Sequence, residues 1–120
     1  MNNLKNNKRK IGETVETAVC SYLNSQGYII LEKNFRCHFG EIDIIAKDNN
    51  YIVFIEVKYR KNAALGYPSE AVDFRKQQKI IRSSMYYIAQ NHISINSNFR
   101  YDVISVLNNN ISIIKNAFSI

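Results

Sequence analysis

Apolar positions recur along this chain with two different periods, and the switch between them sets the predicted elements. From Ile11 to about Ser25, the residues Ile11, Val15, Ala18, Val19, Tyr22 and Leu23 fall on one helical stripe, and Gly27 follows as a natural stop. Tyr28 to Arg36 reads as a first strand that drifts polar after Leu31. Gly40 to Ala46 and Tyr51 to Lys58 are β-branched, alternating or continuously apolar runs, and the Lys47-Asp48-Asn49-Asn50 segment between them has turn chemistry. That pair reads as a β-hairpin, with Gly40 marking a bend or a close backbone approach. Beyond it, Ser69 is an N-cap candidate for a helix reaching about Gln90, with Ala71, Phe74, Gln78, Ile81, Met85 and Ile88 as its buried stripe. His92 to Asn98 is a polar connection. Arg100 to Leu107 is a strand, Asn108 to Asn110 a turn, Ile111 to Lys115 a returning edge strand, and Phe118 a plug against the core. The order αβββαββ describes an α/β fold, a mixed central sheet flanked by helices. Residues 1–10 read as a disordered basic arm and 11–120 as a single domain.

Acids inside the hairpin change the picture. A turn centred between Asn49 and Asn50 sets Asp43 opposite Glu56 and Glu41 opposite Lys58, with Glu56 and Lys58 sharing a face. Like charges facing each other destabilise a sheet and Asp is depleted from strands, so the arrangement calls for compensation. One reading is a solvated sheet face with a cross-strand Glu–Lys pair. The other is a divalent-metal site in which Asp43 and Glu56 offer hard oxygen ligands to Mg²⁺ beside the charge of Lys58.

Charge and cysteine content narrow the class. Among 120 residues, 46% are hydrophobic and 22% charged, proportions of a globular chain, and the formal net charge is +6. The surplus favours polyanionic partners such as nucleic acid, with a merely soluble basic protein as the alternative. Cys20 and Cys37 lack metal-ligand spacing and read as reduced structural thiols of a cytoplasmic protein. The polar, basic N-terminus is no signal peptide, and no apolar run is long enough to span a bilayer. Arg75, Lys76, Lys79 and Arg82 gather on the side of the second helix opposite its expected apolar stripe. His38 lies in the loop before Gly40. Arg100 and Asp102 share a strand face two residues apart, which suits a structural ion pair.

Asp, then Glu-x-Lys on the next strand, resembles the core of the restriction-endonuclease-like PD-(D/E)xK nucleases. Gly40-Glu41-Ile42-Asp43-Ile44-Ile45-Ala46 with Phe54-Ile55-Glu56-Val57-Lys58-Tyr59-Arg60 is more narrowly similar to the bacterial YraN family of that superfamily. The likeness continues through Gly66 to Asp73, Lys76-Gln77, Arg100 to Val103 and Asn116-Ala117-Phe118, nearly the whole chain from Gly12 onward. Gly12 and Glu16 match the family's first-helix pattern, whereas Val15 and Val19 stand where it has small residues. The resemblance implies a restriction-endonuclease-like core and a metal-dependent endonuclease acting on DNA, on branched, single-stranded or damaged forms among others. Asp43, Glu56 and the Val57 carbonyl would hold Mg²⁺ or Mn²⁺, with Glu16 or Glu41 assisting through water. Lys58 would position or activate that water. Glu16 equally serves as a first-turn complement to the helix dipole. Arg36, Arg60, Lys61, Lys76 and Lys79 are the expected phosphate contacts, and Tyr59 or Tyr67 the expected stacking groups. Two other classes compete: a nucleic-acid-binding protein on a nuclease fold without efficient catalysis, and an interaction or structural protein acting as a homodimer.

Overall fold

The structure is a computed structural model that describes the backbone of residues 3–60 and 72–120 and the side chains of residues 14–59 and 72–120. Within them the order is α1 (Asn3–Ser25), β1 (Ile29–Cys37), β2 (Gly40–Asp48), β3 (Tyr51–Arg60), α2 (Phe74–Gln90), β4 (Asn98–Leu107) and β5 (Asn110–Phe118). This is the αβββαββ order that the hydrophobic pattern predicts. The five strands form one mixed sheet in sequence order, with every neighbouring pair antiparallel except β3 and β4, which run parallel. A parallel pair needs a crossover, and α2 supplies it.

Each face of the sheet is covered by one helix. Val19 and Leu23 of α1 pack with Ile44, Ala46, Val53, Ile55, Ile104 and Val106. On the other face Ile80, Ile81, Tyr87 and Ile88 of α2 pack with Ile42, Ile45, Phe54 and Tyr101. Strand alternation explains the division on β3, where Val53 and Ile55 go to one layer and Phe54 to the other.

Helix α1 begins at Asn3, inside the basic segment expected to be an arm, and well before Ile11. Its end follows the expectation at Gly27. Tyr28 N–H donates to Leu23 O at 3.0 Å and Gly27 N–H to Asn24 O at 3.1 Å, a Schellman closure that needs the left-handed φ of +89° at Gly27. Tyr28 and Leu23 then meet in the core, fixing where β1 starts.

Helix α2 departs from expectation in two ways. Its N-cap is Asp73, whose Oδ1 accepts from Lys76 N–H at 2.8 Å; Ser69 and Ala71 lie outside the described residues. Its buried face is Ile80, Ile81, Ser83, Ser84, Tyr87 and Ile88, while Phe74 is 73% and Met85 51% exposed. Two stripes of helical spacing overlap at Ile81 and Ile88, and serines disguise the one that wins. Ser84 is buried with its Oγ bonded to Ile81 O (2.6 Å) and Tyr101 Oη (2.7 Å), so its burial leaves no orphan.

The expected Arg100–Asp102 pair is present and larger than foreseen. Arg100 Nε and Nη2 donate to the two Asp102 oxygens at 2.8 Å each, and Nη2 also reaches Asp48 Oδ2 at 2.8 Å. Tyr28 Oη donates to Asp102 at 3.0 Å, so this fully buried carboxylate is saturated by fixed donors. At the C-terminal end Phe118 stacks on Tyr101 with ring centroids 5.1 Å apart, the plug expected from the sequence.

Candidate metal-binding acid pair

The register Ile44↔Ile55, Ala46↔Val53, Asp48↔Tyr51 centres the hairpin between Asn49 and Asn50, as the turn chemistry predicts. Asn49 takes φ +54°, a conformation that Asn tolerates better than most side chains. Counting one step past Ile44↔Ile55 brings Asp43 to Glu56, and there the two strands cease to pair. Asp43 Oδ2 instead accepts the N–H of Val57 at 2.7 Å, standing in for a ladder carbonyl. The acid is thus held rigidly at the fork between β2 and β3.

On its other side Asp43 faces an irregularity. The β1–β2 pairing runs from Lys33↔Ile44 to Phe35↔Ile42, and Asn34 between them adopts φ +54° opposite Asp43. A regular strand would put Ile42 and Ile44 on one face. Here Ile42 joins the α2 layer and Ile44 the α1 layer, so β2 is kinked at Asp43.

Glu56 follows Ile55 and shares its face with Lys58. It is only 6% exposed. Its Oε1 lies 3.8 Å from Lys58 Nζ and 3.6 Å from Lys76 Nζ. Lys76 arrives from α2, where the Asp73 cap fixes the first turn, and the positive end of that helix dipole points the same way. Burial is the main reason that the Glu56 carboxyl is pushed up, to about 7; repulsion from Asp43 adds to it, and the two lysines oppose it. Asp43 is also raised, first by burial, against the Val57 N–H that favours its ionised form. Both acids feel Lys58 and Lys76, so the four groups occupy one locus.

Glu16 leans over the sheet from α1, as its place on the stripe edge suggests. It lines a cleft of ≈ 160 Å³ with Val15, Asn34, Asp43, Ile44 and Val57, and pairs with Lys33 at 3.5 Å. Glu41 is drawn to Arg36 Nε at 3.0 Å, on the exposed side of the hairpin. Among the described residues, no three Asp, Glu, His or Cys side chains converge as a ready metal cage.

The expected phosphate contacts are dispersed. Arg36 and Lys79 are exposed, and Lys76 has an acid partner. Lys61, Tyr67 and the side chain of Arg60 lie outside the described residues. Tyr59 lines a separate cavity of ≈ 530 Å³ between α1 and the β4–β5 turn. His38 packs on Phe39 with centroids 4.0 Å apart. Sequence reasoning missed Lys76 as a partner of Glu56; the Asp73-x-x-Lys76 capping spacing was the available signal.

Residues 15–106 match the model of a family described as "Uncharacterised protein family UPF0102". The chain belongs to the UPF0102 family. The matched span holds Glu16, Asp43, Glu56, Lys58 and Lys76, the whole of the locus just described. A UPF0102 protein of Lachnoclostridium phytofermentans is 46% identical over 112 residues, covering 93% of this chain and 95% of its own. UPF0102 proteins of Clostridium botulinum strains 657 and Loch Maree are 54% and 53% identical over 118 residues, covering 93% of this chain and 96% of theirs. The YraN-like resemblance read from the motifs therefore holds at the level of the family. No helix among the described residues is long and apolar enough to cross a membrane.

Proposed function

We propose that this chain is a metal-dependent endonuclease of the restriction-endonuclease-like type, hydrolysing phosphodiester bonds in DNA. The observation that carries the reading is the carboxyl pair of half-buried Asp43 and buried Glu56 at the β2–β3 fork, with Lys58 and Lys76 against it. Two neighbouring acids that repel each other where solvent is restricted gain from a shared divalent cation. The donor set suits Mg²⁺ or Mn²⁺: such ions take one or two carboxylates and complete their shell with water and substrate phosphate. With no third acid converging among the described residues, the site would rely on those and on the Val57 carbonyl. The ion, when bound, supplies charge neutralisation at phosphate and an acidified water.

The remaining work falls to the chain. Asp43, fixed by Val57 N–H, and Glu56 would hold the cation. Glu16 in the adjoining cleft, or Glu41, orients outer water. Lys58 positions the attacking water and stabilises the developing charge on the phosphoryl oxygens. Arg36, Arg60, Lys61 and Lys79 bind the backbone without reading sequence.

The test is Mg²⁺- or Mn²⁺-dependent cleavage of duplex, branched, single-stranded and damaged DNA, with Asp43→Ala and Lys58→Ala as controls. Loss of cleavage in both variants is expected; cleavage surviving both overturns the proposal. One observation favours a second reading, a nucleic-acid-binding protein without efficient catalysis: Glu56 Oε1 already has two lysine partners, which a cation must displace. Salt-dependent DNA binding with no measurable Mn²⁺ affinity would select that reading.

A further inference from the structure

Helix α2 contains four cations, Arg75, Lys76, Lys79 and Arg82, and no acid anywhere between Phe74 and Gln90. At 100° per residue Arg75, Lys79, Arg82 and Tyr86 fall on one stripe, on the solvent side of the helix and bordering the β1–β2 turn. The three cations of that stripe are exposed, and Tyr86 is 38% exposed. One end of the helix holds Lys76 against Glu56; the other end of the stripe, roughly 15 Å away at 1.5 Å per residue, is aromatic.

That aromatic end is built from two elements. Gly40 takes φ +150°, a conformation that L side chains rarely adopt, and it lies within ordinary contact range of Lys79 and Ser83, so the β1–β2 turn rests on α2. The turn residues His38 and Phe39 are thereby set against Tyr86, with centroid separations of 5.8 and 6.4 Å and edge-on geometry. Phe35 buttresses Tyr86 from below at 6.3 Å. Phe39 remains 39% exposed. His38 lies against one side of Phe39, yet Tyr86 and Phe39 both keep more than a third of their surface accessible, beside a stripe of cations with no ion pair among the described residues.

We propose that this stripe and the aromatic cluster form a track for single-stranded polynucleotide, with phosphates along Arg75, Lys79 and Arg82 and an unpaired base stacked on the Tyr86–Phe39 platform. A duplex cannot use such a platform, because its bases are already stacked. The proposal deepens the nuclease reading and rests on it only for the polarity of the track, which leads from the platform towards the acid pair; binding stands apart from cleavage.

Fluorescence anisotropy in EDTA tests it, using labelled oligothymidine, oligouridine, an abasic strand of equal length and a duplex. Tyr86→Ala and Phe39→Ala should each weaken oligothymidine binding roughly 5- to 100-fold, the range of one base–aromatic stack, and leave the abasic strand unaffected. Tyr86→Phe, which keeps the ring, should bind as the parent does, and thermal melting checks that each variant is folded. Lys79→Gln and Arg82→Gln should weaken both strands and flatten the salt dependence. Tighter binding of oligouridine keeps the platform and makes RNA the preferred strand. Unchanged oligothymidine affinity in folded Tyr86→Ala, or equal loss on the abasic strand, overturns the proposal. An absence of metal-dependent cleavage by the parent protein, with intact single-strand binding, removes the nuclease reading alone.

Discussion

Replacing Glu56 by Gln in the metal-free protein should stabilise it, and the gain should grow with pH. The carboxyl is nearly inaccessible and crowded by Asp43, and its folded-state pKa lies near 7 against an ordinary 4.5. An acid that holds its proton more tightly when folded contributes most below its unfolded pKa, and that contribution disappears as pH rises through the folded value. Between about pH 4.5 and 7 the parent should therefore lose stability relative to Glu56→Gln, which carries no ionisable group there. At roughly 1.4 kcal/mol per pH unit the difference approaches 3 kcal/mol at neutral pH. For a chain of this length that is on the order of 10 °C in Tm. Urea or thermal unfolding in EDTA, run on both proteins at pH 4.5 to 7.5, gives the comparison. Adding Mn²⁺ should then close the gap, because only the parent gains a full carboxylate pair for the ion. A difference that stays flat with pH, or a variant less stable than the parent at neutral pH, would refute the crowding argument and the metal site with it.

Two further outcomes follow from the geometry. Arg100→Met leaves Asp102 and Asp48 buried without their shared guanidinium and should cost about 3–5 kcal/mol in urea unfolding, with Arg100→Met/Asp102→Asn recovering part of it; a loss under about 1 kcal/mol would contradict the lock. Asp73→Ala removes the α2 cap and should cost about 1 kcal/mol while loosening Lys76 from Glu56, seen as altered Mn²⁺ affinity by calorimetry; an unchanged affinity would show that the cap does not position Lys76.

What could be read from the sequence is what short-range chemistry decides. The hairpin register followed from an Asn-Asn turn between two β-branched runs, and that register alone brings Asp43 to Glu56. Arg100 and Asp102 were legible because two residues on one strand share a face, whereas Asp48 and Tyr28 joined them through folding of distant segments. The buried face of α2 was not legible: Phe74, Gln78 and Met85 offer as good a helical stripe as Ile80, Ser84 and Tyr87, and packing of Ile80 and Tyr87 on the sheet, with Ser84 satisfied by Tyr101, separates them only in the folded chain. The kink at Asp43 was hidden for a similar reason, since it depends on Asn34 turning left-handed on a neighbouring strand. The same limit bears on the candidate site. Its acids and Lys58 come from one hairpin and declare themselves by spacing, but Lys76 is delivered by a helix cap from across the chain. Two lysines on one buried glutamate keep that carboxyl compensated until a stronger cation competes, so the strength of the Lys76 contact, set by Asp73, should tune how readily the site takes a metal.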